Sequence, residues 1–215
     1  MILVSGGSRG IGQAIVMAAL SAGYEILAVA RGTEDLQELA TLAGSNRLSV
    51  LPADLSTSEG CEMVAQWINN RNIRLEALVN NAGAYTAAGL TDERDPLSAL
   101  LDLNLLAAHR LTRLLLGDGL DRIITIGSVA ALDLPKHMPA YAVSKYALHG
   151  WHQMLKKELH ERSTKCSLII PGATLTSSWA QEAELPLRIL RPEQVAELVL
   201  QCLEADEGLT LEIRP

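Results

Sequence analysis

The chain has 215 residues, of which 48% are hydrophobic and 20% charged, and its formal net charge is −7. This length suits one domain with a sizeable core, so we expect a single domain over residues 1–215. The acidic balance, with no run of Lys or Arg, argues against nucleic-acid binding, because nucleic-acid-binding proteins present a basic face. No apolar stretch approaches the roughly 18 residues of a membrane span. We therefore expect a cytoplasmic protein without membrane contact.

Short apolar runs alternate with helix-length segments along the whole chain. The predicted strands are Ile2–Val4, Tyr24–Ala30, Arg47–Pro52, Ala77–Asn80, Arg122–Gly127, Ser167–Ile170 and Thr210–Ile213. The predicted helices are Gly10–Ser21, Asp35–Leu42, Glu59–Arg71, Leu97–Leu116, Ala140–Glu161 and Pro192–Ala205. Because the strands are apolar on both faces, helices must cover both sides of the sheet. The alternation predicts an α/β protein with a doubly wound, seven-stranded parallel sheet.

Neither a disulfide framework nor a metal site is indicated. Cys61, Cys166 and Cys202 are odd in number and have no Cys-x2-Cys spacing, which fits a reducing compartment. The histidines lack carboxylates at the spacing of metal ligands, so we expect no bound metal.

A glycine-rich loop follows the first predicted strand and opens the first predicted helix. It reads Ser5-Gly6-Gly7-Ser8-Arg9-Gly10-Ile11-Gly12. Glycines allow a tight turn and close approach of a pyrophosphate, and the helix N-terminus offers free N–H groups and partial positive charge. A plain glycine turn is the alternative, but the order of strand, loop and helix favours a dinucleotide site.

Three polar residues in the second half of the chain suggest acid–base chemistry. Tyr141 and Lys145 are four residues apart and share one face of a predicted helix. An ammonium group favours a phenolate, so we expect Lys145 to lower the pKa of Tyr141 from its usual value of about 10. A Tyr-x3-Lys pair also occurs on helices without function. Ser128, however, ends a predicted strand at the edge where open α/β sheets bind ligands.

Together these segments resemble the motifs of the short-chain dehydrogenase/reductase family, in the family's order and across residues 5–176. The matching segments are Gly6-x3-Gly10-x-Gly12, Asn80-Asn81-Ala82-Gly83, Ser128, Tyr141-x3-Lys145 and Pro171-Gly172. The resemblance implies a Rossmann-type fold and a nicotinamide-dependent oxidoreductase. It also implies a catalytic tetrad of Asn104, Ser128, Tyr141 and Lys145.

The resemblance implies a role for each member of the tetrad. Tyr141 would exchange a proton with the carbonyl or alcohol oxygen, and Ser128 would polarise that oxygen. Asn104 would hold a water in a proton relay to Lys145, which would also hold the nicotinamide ribose. We expect reversible reduction of a ketone or aldehyde, including a 3-oxoacyl or 3-oxo acid substrate. A non-catalytic protein that binds NADP as a sensor or regulator is the alternative.

The choice between NADP(H) and NAD(H) depends on the end of the second predicted strand. The strand ends in Ala30, where an acid would bind a ribose 2′-hydroxyl, and the next residue is Arg31. With Arg9 it favours NADP(H) over NAD(H), because arginine pairs with phosphate. Solvated arginines are the alternative. Asp54, followed by Leu55, matches the family's adenine contact, with a helix-capping aspartate as the alternative.

Two later segments complete the implied cofactor site. Small residues in Asn81-Ala82-Gly83 would let the backbone approach the cofactor. Backbone and hydroxyl groups of a second segment would lie near the carboxamide and pyrophosphate; its implied contacts are Pro171, Gly172, Thr174 and Thr176.

The chain departs from the family in its short segment between Thr176 and Pro192. Residues 177–191, which include Trp179, allow only a small lid, so we expect an open site that tolerates bulky substrates. Tyr85 and Leu132–Met138 are candidates for the substrate pocket. The C-terminal residues resemble short members related to 3-hydroxy-acid dehydrogenases, and 3-oxoacyl-acyl-carrier-protein reductases are similar as well.

The resemblance also implies an assembly. The family forms a four-helix interface with the two long helices predicted at Leu97–Leu116 and Ala140–Glu161, and their apolar content permits this. We expect a homodimer, with a homotetramer as the alternative.

Overall fold

Strands and helices alternate along the chain, and the strands form one parallel sheet. The computed structural model describes residues 1–89, 91–93, 95–117, 119–177 and 187–215. The strands are β1 (Ile2–Ser5), β2 (Ile26–Ala30), β3 (Leu48–Pro52), β4 (Ala77–Asn80), β5 (Arg122–Ile126), β6 (Lys165–Pro171) and β7 (Thr210–Ile213). Their order across the sheet is β3-β2-β1-β4-β5-β6-β7, and every neighbouring pair is parallel. The predicted fold class is confirmed.

The helices lie on both faces of this sheet. They are α1 (Gly10–Ser21), α2 (Thr33–Ala43), α3 (Ser58–Asn69), α4 (Leu97–Leu101), α5 (Ala107–Leu115), α6 (Ala130–Asp133), α7 (Pro139–Glu158) and α8 (Pro192–Glu204). A π-helical turn, Asp102–Leu106, joins α4 to α5. Pro192 occupies the first turn of α8, as predicted, because a proline lacks only an N–H that has no helical partner there.

Two features differ from the predicted elements. One continuous helix was expected over Leu97–Leu116, but the π-helical turn interrupts it. A π turn shifts the helical phase by one residue, but apolar residues are dense on both sides of it, so periodicity does not detect the shift. The four-residue α6 was not predicted, since one turn is too short to show a helical period. Trp179 lies outside the described residues.

The core consists of two apolar layers, one on each face of the sheet. On β1 the side chains of Ile2 and Val4 join the layer beneath α1, α2 and α8, whereas Leu3 joins the layer beneath α3, α5 and α7. This alternation follows from the two-residue period of a strand. Burying both faces of the central strands requires apolar side chains at almost every position, as the sequence has.

The order of the strands creates the crevice in which the candidate site lies. After β3, at one edge, the chain returns across the sheet and adds β4 on the other side of β1. The helices that follow β1 and β4 therefore lie on opposite faces, and the carboxyl ends of these two strands open into a gap between them. Open α/β sheets bind ligands at such a switch point.

Candidate active site

A cavity of about 980 Å³ opens at the carboxyl edge of the sheet. Most of the sequence-predicted site residues line it: Gly6, Ser8, Arg9, Gly10, Ile11, Gly12, Arg31, Leu55, Asn81, Ala82, Gly83, Ser128, Tyr141, Lys145, Pro171, Gly172, Thr174 and Thr176. Asp54 and Asn104 are not among the lining residues. Segments far apart in sequence thus meet in one cavity.

The glycine loop forms a tight cradle at the start of α1. Gly6 has φ +65°, a backbone conformation that side chains disfavour. A Cβ atom on Gly12 would lie 2.0 Å from the carbonyl oxygen of Gly6. Only glycine at these two positions lets the loop fold back on the helix and present its backbone to the cavity.

Hydrogen bonds from Ser5 and Asn81 join the glycine loop to the loop after β4. The Asn81 side chain donates from Nδ2 to the carbonyl oxygens of Ser5 (2.9 Å) and Gly6 (3.1 Å). Ser5 Oγ accepts from the backbone N–H groups of Asn81 and Ala82, both at 3.0 Å, and donates to the carbonyl of Val79. Ser5 is not among the site residues predicted from the sequence. A hydroxyl at the end of an otherwise apolar strand is the signal that could have identified it.

Ser128, Tyr141 and Lys145 meet at the other end of the cavity. Ser128 follows β5; its Oγ accepts from the N–H of Ala130 at 3.1 Å and is hydrogen-bonded to the Tyr141 side chain. One turn further along α7, Lys145 is buried, and its Nζ donates to the carbonyl oxygen of Ile126 at 3.1 Å. The hydroxyl pair and the amine therefore face the same space.

The expected lowering of the Tyr141 pKa is wrong for this structure. Burial raises the pKa of Tyr141, and only the hydrogen bond from Ser128 opposes that rise. Burial also lowers the pKa of Lys145 to about 8. Both shifts have the same origin, because a poorly hydrated site disfavours the phenolate and the ammonium alike.

Asn104 lies behind the cavity wall, in the π-helical turn. Its Oδ1 accepts from the N–H of Ala84 at 2.7 Å, and its Nδ2 donates to the Ala84 carbonyl at 3.0 Å and to Ser144 Oγ at 2.9 Å. A Cβ atom on Gly83 would lie 3.1 Å from Asn104 Oδ1 and 3.6 Å from Lys145 Nζ. Asn104 is thus close to Lys145, but both of its amide hydrogens are donated to protein partners. The water relay stays a prediction.

Opposite charges line the far end of the cavity. The side chains of Arg9 and Arg31 are exposed there, and Asp35, in the first turn of α2, lines the same end. Asp35 is not among the site residues predicted from the sequence, although an acid early in the helix after the second strand is a recognisable signal. An anion bound here would meet two guanidinium groups and one carboxylate.

Asp54 is held by its own turn. Its Oδ1 accepts from the backbone N–H of Ser56 (3.0 Å) and from Ser56 Oγ (2.7 Å), and these bonds lower its pKa. Thr57, rather than Asp54, caps α3, since its side chain accepts from the N–H of Gly60. The predicted adenine contact of Asp54 stays a prediction.

Aromatic and apolar side chains line the cavity beside Tyr141. Tyr85 packs against the Tyr141 ring, and from Leu132–Met138 three residues line the cavity, namely Asp133, Pro135 and Met138. Asp133 is paired with Arg214, whose Nη1 and Nη2 lie 2.8 and 3.0 Å from its carboxylate oxygens.

Neither a cluster of metal ligands nor a membrane-spanning helix is present among the described residues. No group of three or more His, Cys, Asp or Glu side chains there is placed to hold a metal ion. No helix in the same part of the chain is long and apolar enough to cross a membrane.

Known proteins resemble this chain in sequence and in structure. A rhamnolipids biosynthesis 3-oxoacyl-[acyl-carrier-protein] reductase from Pseudomonas aeruginosa is 34% identical, over 92% of this chain and 86% of that protein. The solved RhlG/NADP active-site complex of Pseudomonas aeruginosa matches with a TM-score of 0.90 and 30% identity, over 99% of this chain and 94% of that one.

A second solved structure shows the same fold at lower sequence identity. It is a short-chain dehydrogenase from Sphingobium yanoikuyae in complex with NADPH, with a TM-score of 0.87, 24% identity, and coverage of 98% of this chain and 86% of that one. The Rossmann-type fold is confirmed. The sequence profile of the short chain dehydrogenases matches residues 1–185. With the motifs gathered in one cavity, this match establishes that the chain belongs to the short-chain dehydrogenase family.

Proposed function

We propose that this chain is an NADP(H)-dependent oxidoreductase that reversibly reduces a carbonyl group to an alcohol. One observation carries the proposal. The hydrogen-bonded pair of Ser128 and Tyr141, with Lys145 beside it, shares a cavity with a glycine cradle and two arginines. One domain, residues 1–215, would hold both the cofactor and the acid–base groups.

The residues at the far end of the cavity fit NADP(H). Gly6 and Gly12 leave room that a side chain would fill, so the backbone can approach a pyrophosphate. Arg9 and Arg31 would pair with the 2′-phosphate, which NAD lacks. Two solved structures that resemble this chain are complexes with NADP and with NADPH, which supports the same choice.

The acid–base groups would act on the substrate oxygen. A bound nicotinamide cofactor supplies the hydride, and the protein supplies orientation and electrostatics. Tyr141 would donate its phenolic proton to the carbonyl oxygen during reduction and accept it back during oxidation. Ser128 would donate a hydrogen bond to that oxygen, and Lys145 would restore the proton of Tyr141. Because burial raises the pKa of Tyr141, the tyrosine stays protonated and ready to donate at neutral pH.

The substrate class we propose is a 3-oxoacyl compound or a related ketone. The similar Pseudomonas aeruginosa protein carries the name of a 3-oxoacyl reductase, and it is 34% identical to this chain. Val129, Pro135 and Met138 give the cavity beside Tyr141 an apolar wall suited to an acyl chain. Turnover of a 3-oxoacyl thioester, with none of the free 3-oxo acid, would support the thioester as substrate; the reverse would contradict it.

We place the protein in the cytoplasm as a homodimer. Cys61, Cys166 and Cys202 are free and buried, as fits a reducing compartment. On α7, Val143, Tyr146 and Met154 expose apolar side chains at helical spacing. A second copy packed on this face would remove the apolar stripe from water.

The assembly can be tested by sedimentation. Met154→Glu places a charge within the exposed stripe of α7, and we expect it to convert a dimer into a monomer, because a buried unpaired carboxylate is strongly disfavoured. Leu42→Glu, at an equally exposed leucine on α2, should leave the dimer intact. A wild-type monomer, or a Met154→Glu dimer, contradicts the proposed face.

Tyr141→Phe tests the catalytic role directly. The change removes the phenolic proton and keeps the ring, so we expect turnover with NADPH and a 3-oxo ester to fall about 10²–10⁴-fold. The Kd for NADPH, measured by calorimetry, should change less than about twofold. Tyr146→Phe, at an exposed tyrosine of the same helix, is the matched control. Full activity of Tyr141→Phe would rule out the phenol as proton donor, whereas a wild-type protein that binds NADPH and turns over no carbonyl substrate would favour a non-catalytic cofactor-binding protein.

A pair of variants with opposite expected signs tests the choice of cofactor. Arg31→Ala removes a cation, and we expect the Kd for NADPH to rise roughly tenfold while the Kd for NADH stays nearly constant. Asp35→Asn removes the nearby anion and should tighten NADPH binding. Calorimetry with both cofactors measures the two changes. Equal losses for NADPH and NADH in Arg31→Ala would rule out pairing with the 2′-phosphate.

The buried Lys145 makes folding stability depend on pH. Its pKa is about 8 in the folded protein, against about 10.4 when unfolded. Between these values the unfolded state binds more protons, so the stability from this group rises with pH, and its penalty is fully present below about pH 8. We expect Lys145→Met to raise the free energy of unfolding by about 1–3 kcal/mol at pH 7, with the gain vanishing near pH 10.

Urea titrations at several pH values measure this difference. Lys157→Met, at an exposed lysine of the same helix, is the control for a general effect of replacing lysine by methionine. A Lys145→Met protein that is less stable than the wild type at every pH would contradict the prediction.

A further inference from the structure

Tyr85 stands against the tyrosine to which we assign proton transfer. The ring centroids of Tyr85 and Tyr141 lie 5.2 Å apart with an angle of 81° between the planes. This is the edge-to-face arrangement that aromatic pairs prefer, because the positive ring edge meets the negative ring face. Both rings line the same cavity. Tyr85 comes from the loop after β4, whereas Tyr141 is on α7, so tertiary structure alone creates the pair.

A buried chain of hydrogen bonds links the backbone beside Tyr85 to the backbone of Tyr141. Asn104 grips the residue before Tyr85, since its Oδ1 accepts from the Ala84 N–H and its Nδ2 donates to the Ala84 carbonyl. The other Nδ2 hydrogen goes to Ser144 Oγ, which donates at 2.8 Å to the backbone carbonyl of Tyr141. Asn104 and Ser144 are almost fully buried. The path thus ties the backbone at Tyr85 to the backbone at Tyr141.

The side chain of Tyr141 is correspondingly restrained at two places. Ser128 holds its hydroxyl group, and the ring of Tyr85 packs against its ring. The covalent bond to α7 and the hydrogen bond of the hydroxyl group restrain the two ends of this side chain, but they leave the ring free to rotate about the axis between them, which turns the plane in which the O–H bond lies. A second contact on the ring removes that freedom, and small errors in the position of a reacting group reduce rates steeply.

We propose that Tyr85 is a positioning residue for proton transfer by Tyr141, with its ring, rather than its hydroxyl group, as the part that acts. The proposal rests on the proposed function of Tyr141. It also gives Asn104 a role that its observed contacts support, which is to fix the position of the loop that carries Tyr85 relative to α7.

The test compares three variants at Tyr85. Tyr85→Phe keeps the ring, and we expect kcat within about twofold of the wild type. Tyr85→Ala removes the ring, and we expect kcat to fall about ten- to a hundredfold, because the ring of Tyr141 is then free to rotate. KM for NADPH should change less than about twofold in both. Tyr85→Leu keeps apolar bulk without an aromatic edge, and it should resemble Tyr85→Ala; it also replaces Tyr85→Ala if that protein does not fold.

The pH profile of the rate gives a second readout, which reports on the protonation of Tyr141 itself. In the direction of alcohol oxidation Tyr141 must lose its proton, so the rate rises through its apparent pKa. Removing the Tyr85 ring admits water, which favours the phenolate and should shift this rise to lower pH. Two charged residues that line the cavity lie close in sequence to Tyr141 and Ser128, namely Lys145 on α7 and Asp133 on α6. Neither is changed in the Tyr85 variants.

Several outcomes would overturn the proposal. They are a wild-type kcat and pH profile in Tyr85→Ala, a Tyr85→Phe protein as impaired as Tyr85→Ala, and an effect confined to KM for the carbonyl substrate. Tyr141→Phe assayed in parallel separates the two ideas. If Tyr141→Phe is inactive and Tyr85→Ala is normal, only the positioning role fails. If Tyr141→Phe is fully active, the proposed proton donor fails.

Discussion

The close approach of the loops after β1 and β4 is the constraint on which the site depends. A Cβ atom on Gly6 would lie 2.9 Å from the Cα atom of Ala82, so these two backbones are in contact. Polar backbone groups that meet in a buried place need partners. Ser5 Oγ and the Asn81 amide supply them. With this junction formed, the glycine cradle and the Asn-Ala-Gly turn face the same cavity, and the residues following each can act on one ligand.

A second group of buried polar residues lies near the same edge of the sheet. Asn104, Ser144 and Lys145 are all buried, and each has a hydrogen-bond partner. Their partners are largely backbone groups, namely the N–H and carbonyl of Ala84 in the loop after β4, the carbonyl of Ile126 in β5 and the carbonyl of Tyr141 in α7. The polar network therefore connects the π-helical turn, the loop after β4 and α7, and it restrains the elements that carry Tyr85 and Tyr141. Burial of Lys145 works against stability at neutral pH, which is the expected signature of a residue retained for chemistry.

The two ends of the cavity differ in character, and this difference separates their proposed tasks. The end near α2 has the exposed side chains of Arg9 and Arg31, together with Asp35 in the first turn of α2. These charges suit recognition of a charged, hydrated group. The end near α7 has aromatic and apolar walls around Ser128 and Tyr141, where water is scarce and hydrogen bonds are strong. A ligand with a phosphate-rich part and a reacting apolar part fits this gradient.

The sequence by itself determined the α/β class, the seven strands and most residues of the cavity. These features have local signals: apolar runs of strand length, glycines after the first strand and polar residues at strand ends. Such signals can be recognised from neighbouring residues alone, without knowledge of tertiary contacts. The π-helical turn was not predicted because apolar residues are dense on both sides of it, so a shift of one residue does not show in the pattern. The Ser56 bonds of Asp54 also depend on the local turn, which the residue types alone do not specify.

Only the tertiary structure decided the features that depend on distance between remote segments. Tyr85 and Tyr141 are 56 positions apart in sequence, and nothing in either segment shows that their rings meet. The pKa of Tyr141 is the clearest example. Its neighbour Lys145 predicted a lowered value, whereas the burial that the whole fold imposes raises it. Desolvation is a property of everything packed around a group, so no local motif contains it.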